Sequence, residues 1–243
     1  MWKCMSGEVT GRSHRKEGLP CQDKTYYAEE NGVIAIALAD GAGSASLSQF
    51  GAKCVVRTAV HYVLHAFEDV CSTDCSQVVM EEFLKILREA LGREATVQGC
   101  DFHQLASTLL LVAVKGDKAF VLHIGDGIIG RIRDDELQVI SKPMNGEFAN
   151  ETYFVTDENA LAGMEILRGT NVGTEAFILM SDGAGDNFYD KGAGQLVPII
   201  KEIIEDVRET EGSEKGERKL DSVLRYIAEQ NTHDDCSLAV LIR

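Results

Sequence analysis

The chain has 243 residues, with 24 Lys and Arg against 39 Asp and Glu, for a formal net charge of −15. Nothing in that balance would offset repulsion from phosphate or from an anionic bilayer, so nucleic acid and membrane surfaces are excluded as partners. The 44% hydrophobic and 26% charged content is that of an ordinary globular protein, and the length allows one large domain or two small ones.

In chain order, the start MWKCMSGEVTGRSHRK lacks the apolar core of a secretory signal. The longest charge-free apolar stretches, Val33–Ala39 and Leu105–Val114, fall short of the roughly 20 residues that span a bilayer. A cytoplasmic location is therefore expected. Strand-like runs at Lys24–Glu29 and Val33–Asp40 flank a Glu-Asn-Gly turn, a strong hairpin signal. Ser48 to Phe67 reads as helix, and Gln77 to Leu91 carries Val79, Phe83, Leu87 and Leu91 at four-residue steps. A second strand group follows at Ser107–Val114, Lys118–Ile124 and Ile128–Arg133, and more strands are expected at Thr152–Thr156, Glu165–Arg168 and Ala176–Ser181. Leu196, Ile199, Ile200, Ile203, Ile204 and Val207 form an amphipathic stripe, repeated by Leu220, Val223, Leu224 and Ile227 in a further helix. Glu209–Lys219 reads as a charged connection between these two helices, and Cys236–Ile242 as the last strand.

With no Ser/Gly/Pro-rich linker, one domain over residues 1–243 is expected. Neighbouring hairpins argue for antiparallel sheets, whose outer faces the helix pairs must cover. The predicted fold is a four-layer α/β/β/α sandwich of the α+β kind.

Seven cysteines, odd in number and without a CxxC pair, read as reduced thiols and not as a disulfide framework. His61 and His65 share a helix face, and Cys71 and Cys75 follow, but these spacings match no zinc pattern.

Three apolar strands end in Asp-Gly, at Asp40, Asp126 and Asp182. Asp-Gly suits tight turns, and a fresh strand does follow Asp126-Gly127. Ala-Gly-Ser-Ala and a helix follow Asp40-Gly41, however, and Ala-Gly-Asp-Asn and a loop follow Asp182-Gly183, so those two are not hairpins. Gln22-Asp23 opens the first hairpin, and Asp234-Asp235 stands at the mouth of the last strand. Carboxylates at strand ends, among residues too small to crowd an ion, suit Mg²⁺ or Mn²⁺, which prefer oxygen ligands. Placed so near one another, they would repel strongly without cations or protons between them.

Read in order, GRSHRKEGLPCQD (Gly11–Asp23), ALADGAGSA (Ala37–Ala45), AST (Ala106–Thr108), HIGDG (His123–Gly127), NGEFANET (Asn145–Thr152), LMSDGAGD (Leu179–Asp186) and HDDCSLAVL (His233–Leu241) resemble the type 2C metal-dependent protein phosphatases, in particular their bacterial branch. The resemblance implies the same sandwich with two divalent ions, Mn²⁺ or Mg²⁺, at one end. By motif position Asp40 would bridge both ions and the Gly41 carbonyl would bind one of them, while Asp182 and Asp234 would hold the other. Asp23 and Gln22 would act through water on the ions, and Asp126 corresponds to the acid that holds a third, weaker ion in many members. Residues 145–156 would form a flap beside the site. The implied activity is hydrolysis of phosphoserine and phosphothreonine on proteins by water activated between the ions, without a phosphoenzyme. The implied partners are phosphorylated proteins and a Ser/Thr protein kinase whose action is reversed.

The chain departs from better-known members at three points. Gln22 stands where many have Glu; Gly18 stands where a phosphate-binding Arg is expected, leaving Arg12, Arg15 or Lys16 to substitute; and Ala42 replaces a histidine that is a candidate proton donor. His14 is then open to three roles: leaving-group acid, phosphate contact or solvated loop residue. The competing class is a pseudophosphatase that keeps the sandwich as a binding module, which retained Asp40, Asp182 and Asp234 disfavour. A haloacid-dehalogenase-like phosphohydrolase is excluded by the missing Asp-x-Asp and by an element order that is not βαβ.

Overall fold

A computed structural model describes residues 2–144, 152–210 and 213–243. One five-stranded sheet runs β2 (Lys24–Glu30), β3 (Val33–Ala39), β4 (Leu109–Lys115), β5 (Lys118–Ile124), β8 (Met164–Thr170). The other runs β1 (Lys3–Val9), β12 (Cys236–Ile242), β9 (Thr174–Met180), β6 (Ile128–Arg133), β7 (Glu136–Ser141). All neighbours in both sheets are antiparallel. Tyr189–Asp190 (β10) and Gln195–Leu196 (β11) form a small separate ribbon.

Side-chain alternation explains the layering. On β3, Ala35 and Ala37 pack beneath helices α2 (Ser48–Ser72) and α3 (Ser76–Gln98), while Ile36 and Leu38 point the other way, toward the second sheet. On β9 and β12, Ile178 and Val240 face α5 (Ile199–Arg208) and α6 (Ser213–Gln230), while Phe177, Leu179 and Leu241 fill the space between sheets. The inner strands β3, β4, β9 and β12 bury both faces, hence their continuous apolar runs in the sequence. The predicted α/β/β/α sandwich is the observed fold.

The Glu-Asn-Gly hairpin is as expected: Asn31 and Gly32 both take positive φ, 54° and 75°, as a two-residue turn between twisted strands requires. Several boundaries differ from expectation. The N-terminal lead-in is strand β1, whose half-polar sequence is held by pairing with all seven residues of β12. The segment before Gln22 is partly a short helix, α1 (Arg12–Glu17), and Asp182 opens another, α4 (Asp182–Phe188), where a loop was expected. β7 was missed because its turn is Asp134-Asp135, both at positive φ without a glycine. Residues 152–156 form no named strand, and most of Glu209–Lys219 belongs to α6, whose helical stripe begins earlier than its apolar residues suggest. No helix among the described residues is long and apolar enough to cross a membrane.

The first turns of α2 dock on the short turn Phe102–Leu105, which leads into β4. Their backbones meet at Gly51, where an added Cβ would fall 1.9 Å from the Leu105 carbonyl oxygen. Gly51→Ala is expected to cost about 3 kcal/mol, because the backbones must separate and the core beneath loosens. Chemical denaturation measures this as a lowered midpoint.

Candidate active site

The Asp-Gly strand ends converge on one end of the sandwich. β3 delivers Asp40, whose N–H donates to Thr108 Oγ1 at 2.9 Å and whose carbonyl accepts from Thr108 N–H at 2.9 Å. Gly41 continues the pairing as an antiparallel bridge to Ser107, and the Ala42 N–H donates to the Ala106 carbonyl at 3.0 Å. The side chain of Asp40 is thus presented from a backbone held on both sides.

β9 delivers Asp182 as the first residue of α4. Ser181 N–H donates to the Ser237 carbonyl at 3.2 Å, and Ser237 N–H donates to Ser181 Oγ at 3.0 Å, so the exit of β9 is laced to the entry of β12. Asp182 Oδ1 accepts from Gly183 N–H at 2.5 Å. Gly183 has no room for a side chain, since a Cβ there would lie 2.1 Å from the Asp235 carbonyl oxygen. Close approach, not turn formation, is the reason for glycine after this aspartate.

Asp234 and Asp235, adjacent in sequence, do different things. Asp235 is buried and gathers the chain around it: Oδ1 accepts from Gly11 N–H at 2.7 Å, Oδ2 accepts from Gln22 N–H at 2.6 Å, and His14 Nδ1 stands 3.0 Å from Oδ2. Asp234 is exposed, and its Oδ1 accepts from the Asp235 N–H at 2.8 Å. Asp235 was not singled out from the sequence as a site residue. The doublet at a strand mouth was the available signal, but spacing alone cannot say which carboxylate turns inward.

Asp23 is completely buried, and neither of its carboxylate oxygens has a hydrogen-bond partner in good geometry, although Ser237, Asp40 and Ser181 lie near it. Burial, then the charge of Asp235, pushes its carboxyl up to about 7, offset in part by Ser237, Asp40 and Ser181. Burial also raises Asp40 well above the usual carboxylate range, followed by the charges of Asp23 and Asp182 and then Asp234. Asp182 rises to about 6, again through burial first, with Asp126 and Asp234 adding repulsion against a lowering contact from Asp40. Without cations, the cluster favours carboxyls that keep their protons.

Hard divalent cations fit this donor set: carboxylate oxygens, two of them buried without partners, beside the Gly41 peptide. Among the described residues no three His, Cys, Asp or Glu side chains form a ready ligand group. Asp40, Asp182 and Asp23 are drawn together, whereas Asp234 is turned onto its neighbour's N–H. Gln22 is buried with its Oε1 unpartnered.

Asp126 accepts a hydrogen bond from Thr152 Oγ1 at 2.5 Å, so it is tied to the chain across the cleft and not into the hairpin that follows it. Asp126 and Asp182 line one side of a cleft of about 510 Å³, with Lys142, Pro143, Tyr189 and Lys191 among its other walls. Of the expected flap, residues 145–151 lie outside the described residues.

The basic residues of α1 turn away from the acids. Arg12 Nε donates to the Thr232 carbonyl at 2.9 Å, and Arg15 Nη2 donates to the Ala228 carbonyl at 3.4 Å, so both satisfy carbonyls at or just beyond the C-terminal end of α6. Lys16 is exposed. The expected phosphate-binding residues Arg12 and Arg15 thus direct these guanidinium contacts to α6 and the residues just after it in this structure. His14 lies on α1 and not in a loop, with its side chain 14% exposed against Asp235. His61 and His65 lie on the outer face of α2 near Tyr26 and Glu30, and all seven cysteines are free.

The model of the protein phosphatase 2C family matches residues 10–225. The chain belongs to that family. The match ends before Asp234 and Asp235, which β12 nevertheless carries to the same end of the sandwich as Asp40 and Asp182. Serine/threonine-protein phosphatase 3 of Escherichia coli K12 is 29% identical over 174 residues, 70% of this chain and 68% of that protein. Among solved structures, the serine/threonine phosphatase Stp1 of Staphylococcus aureus is similar with a TM-score of 0.68 at 14% identity, covering 100% of this chain and 95% of that one. The S. agalactiae serine/threonine phosphatase gives 0.63 at 18% identity, covering 100% and 99%. At such identities these structures establish that the fold is the phosphatase 2C fold.

Proposed function

We propose that the chain hydrolyses phosphoserine and phosphothreonine on proteins with Mn²⁺ or Mg²⁺ as cofactor, acting as one catalytic unit in the cytoplasm against the products of a Ser/Thr protein kinase. The observation that carries this reading is the group of buried and half-buried, mutually repelling aspartates at one end of a phosphatase 2C fold, with both Asp23 oxygens lacking a partner in good geometry. Asp40, the Gly41 carbonyl, Asp182 and Asp234 would hold two ions, Asp23 and Gln22 would orient water around them, and Asp126 would hold a third. When bound, such ions polarise phosphoryl oxygens and make water a nucleophile near neutral pH.

The chain's own residues do the rest. Thr108 and Ser107 hold the backbone of Asp40 and Gly41 in place, so that little reorganises when charge builds up. Asp235 draws α1, Gln22 and β12 together. With Nδ1 against Asp235, His14 has Nε2 left to give a proton to the departing serine or threonine oxygen. The non-catalytic alternative has no supporting observation, since a binding module gains nothing from buried carboxylates that repel one another.

Phosphate release from a phosphothreonine peptide, with and without Mn²⁺, tests the proposal. Turnover is expected with Mn²⁺ and should vanish with a chelator. Release that persists through chelation, or none at any Mn²⁺ concentration, would overturn it.

A further inference from the structure

The two sheets each have an open edge at the side of the cleft, β7 in one and β8 in the other. Near the site these edges are joined through three polar side chains. Ser141, the last residue of β7, donates from Oγ to Glu165 Oε2 on β8 at 2.5 Å and lies 2.6 Å from His123 Nδ1 on β5. His123 and Glu165 are direct partners across the β5–β8 pair. The serine has one proton and gives it to Glu165, so it must accept from His123 Nδ1–H, which fixes the ring tautomer. His123 is completely buried and Ser141 nearly so. Burial holds the imidazole at about 4, and it is therefore neutral at ordinary pH.

Buried polar groups are costly unless satisfied, and an apolar trio would join the sheets without that cost. What this chain of contacts adds is direction, at a particular place. Ser141 is followed by Lys142 and Pro143, which wall the cleft, and the Met144 N–H donates to the Gly125 carbonyl at 2.8 Å. His123 lies three residues before Asp126, which lines the same cleft. Both ends of the connection thus lie next to cleft-lining residues.

We propose that His123, Ser141 and Glu165 are positioning residues that set the Lys142–Pro143 wall against Asp126, and so the width of the cleft for a peptide. The proposal rests on the phosphatase reading for its kinetic consequence but not for its structural one. Ser141→Ala removes the shared hydroxyl. For a phosphothreonine peptide it should raise KM about 5- to 10-fold with kcat nearly kept, the signature of lost uniform binding. For p-nitrophenyl phosphate, too small to reach the wall, kcat/KM should change by less than about 2-fold. Glu165→Gln, which keeps an acceptor, should stay near wild type, while Glu165→Leu should behave like Ser141→Ala. Val63→Ala, a buried position on α2, serves as the control for stability loss alone.

A second readout needs no turnover. Hydrogen exchange at the Met144 amide should accelerate in Ser141→Ala and Glu165→Leu but not in Val63→Ala. If these variants slow both substrates equally, or if Met144 exchange rises no more than in Val63→Ala, the positioning role is wrong and the three residues only stabilise the fold. If wild type hydrolyses neither substrate, the phosphatase reading fails and the exchange measurement still decides the positioning role.

Discussion

Asp40→Asn is expected to reduce phosphopeptide turnover at least about 10³-fold, equivalent to about 4 kcal/mol of transition-state stabilisation, because the carboxylate that both ions would share is gone. The same change should make the metal-free protein more stable, and the sign follows from the raised carboxyls. An unfolded Asp titrates near 3.9, whereas Asp182 and Asp23 are held up to about 6 and about 7 in the fold. Between about pH 4 and pH 7 the folded chain therefore keeps protons that the unfolded chain has lost. Their contribution to stability is full below pH 4 and is lost as pH rises through the folded values. Metal-free wild type should accordingly melt lower at pH 8 than the trend of its other carboxylates predicts. Asp40→Asn removes one repelling partner from the cluster and should flatten that loss, raising the pH 8 melting temperature by about 5 °C. Added Mn²⁺ should stabilise wild type far more than the variant. Full turnover by the variant at ordinary Mn²⁺, or an unchanged melting profile, would remove Asp40 from the bridging position.

His14→Ala is expected to slow phosphopeptide hydrolysis about 10²- to 10⁴-fold, the usual contribution of a positioned general acid. A serine or threonine oxygen leaves poorly without a proton, whereas p-nitrophenolate needs none, so p-nitrophenyl phosphate turnover should fall far less. Equal losses on both substrates would mark His14 as a phosphate contact instead. No loss on either would leave it as the residue that anchors α1 to Asp235. The Asp235 contact is why the first outcome is expected: a carboxylate facing Nδ1 orients the ring and engages that nitrogen's proton, so that in the imidazolium form the Nε2–H is the proton left to transfer.

Much of this arrangement was legible in the sequence because apolar strands announce themselves. β3, β5, β6 and β12 were readable nearly to the residue, each ending or beginning in an acid that the fold gathers at one end. β1 and β7 were not legible: their residues are half polar and become strands only through long-range partners, Lys3–Val9 against Cys236–Ile242 and Glu136–Ser141 against Ile129–Arg133. In the site, Asp23, Asp40, Asp126 and Asp182 stood out through their neighbours. The roles of Arg12, Arg15 and Asp235 did not, since one turn of helix at Arg12–Glu17 decides whether a basic side chain faces phosphate or the end of α6. The contacts of Ser141 with His123 and Glu165 join residues 18 and 24 apart in sequence, a distance no local pattern encodes.

The position of β12 between β1 and β9 bears on how the protein is made. The first sheet draws its strands from residues 24–170, a stretch that can pair as it leaves the ribosome, with α2 and α3 already available to cover it. In the second sheet β9, β6 and β7 can pair early, but β1, translated before them, has no partner until residues 236–242 arrive. Asp234 and Asp235 lie at the entrance of that late strand. A nascent chain can therefore display Asp23, Asp40 and Asp126 on a half-built scaffold, but it cannot complete the acidic cluster before residues 234–242 have emerged. Capture of the proposed ions would then be a late event of folding, after the strand that carries Asp234 and Asp235 has docked.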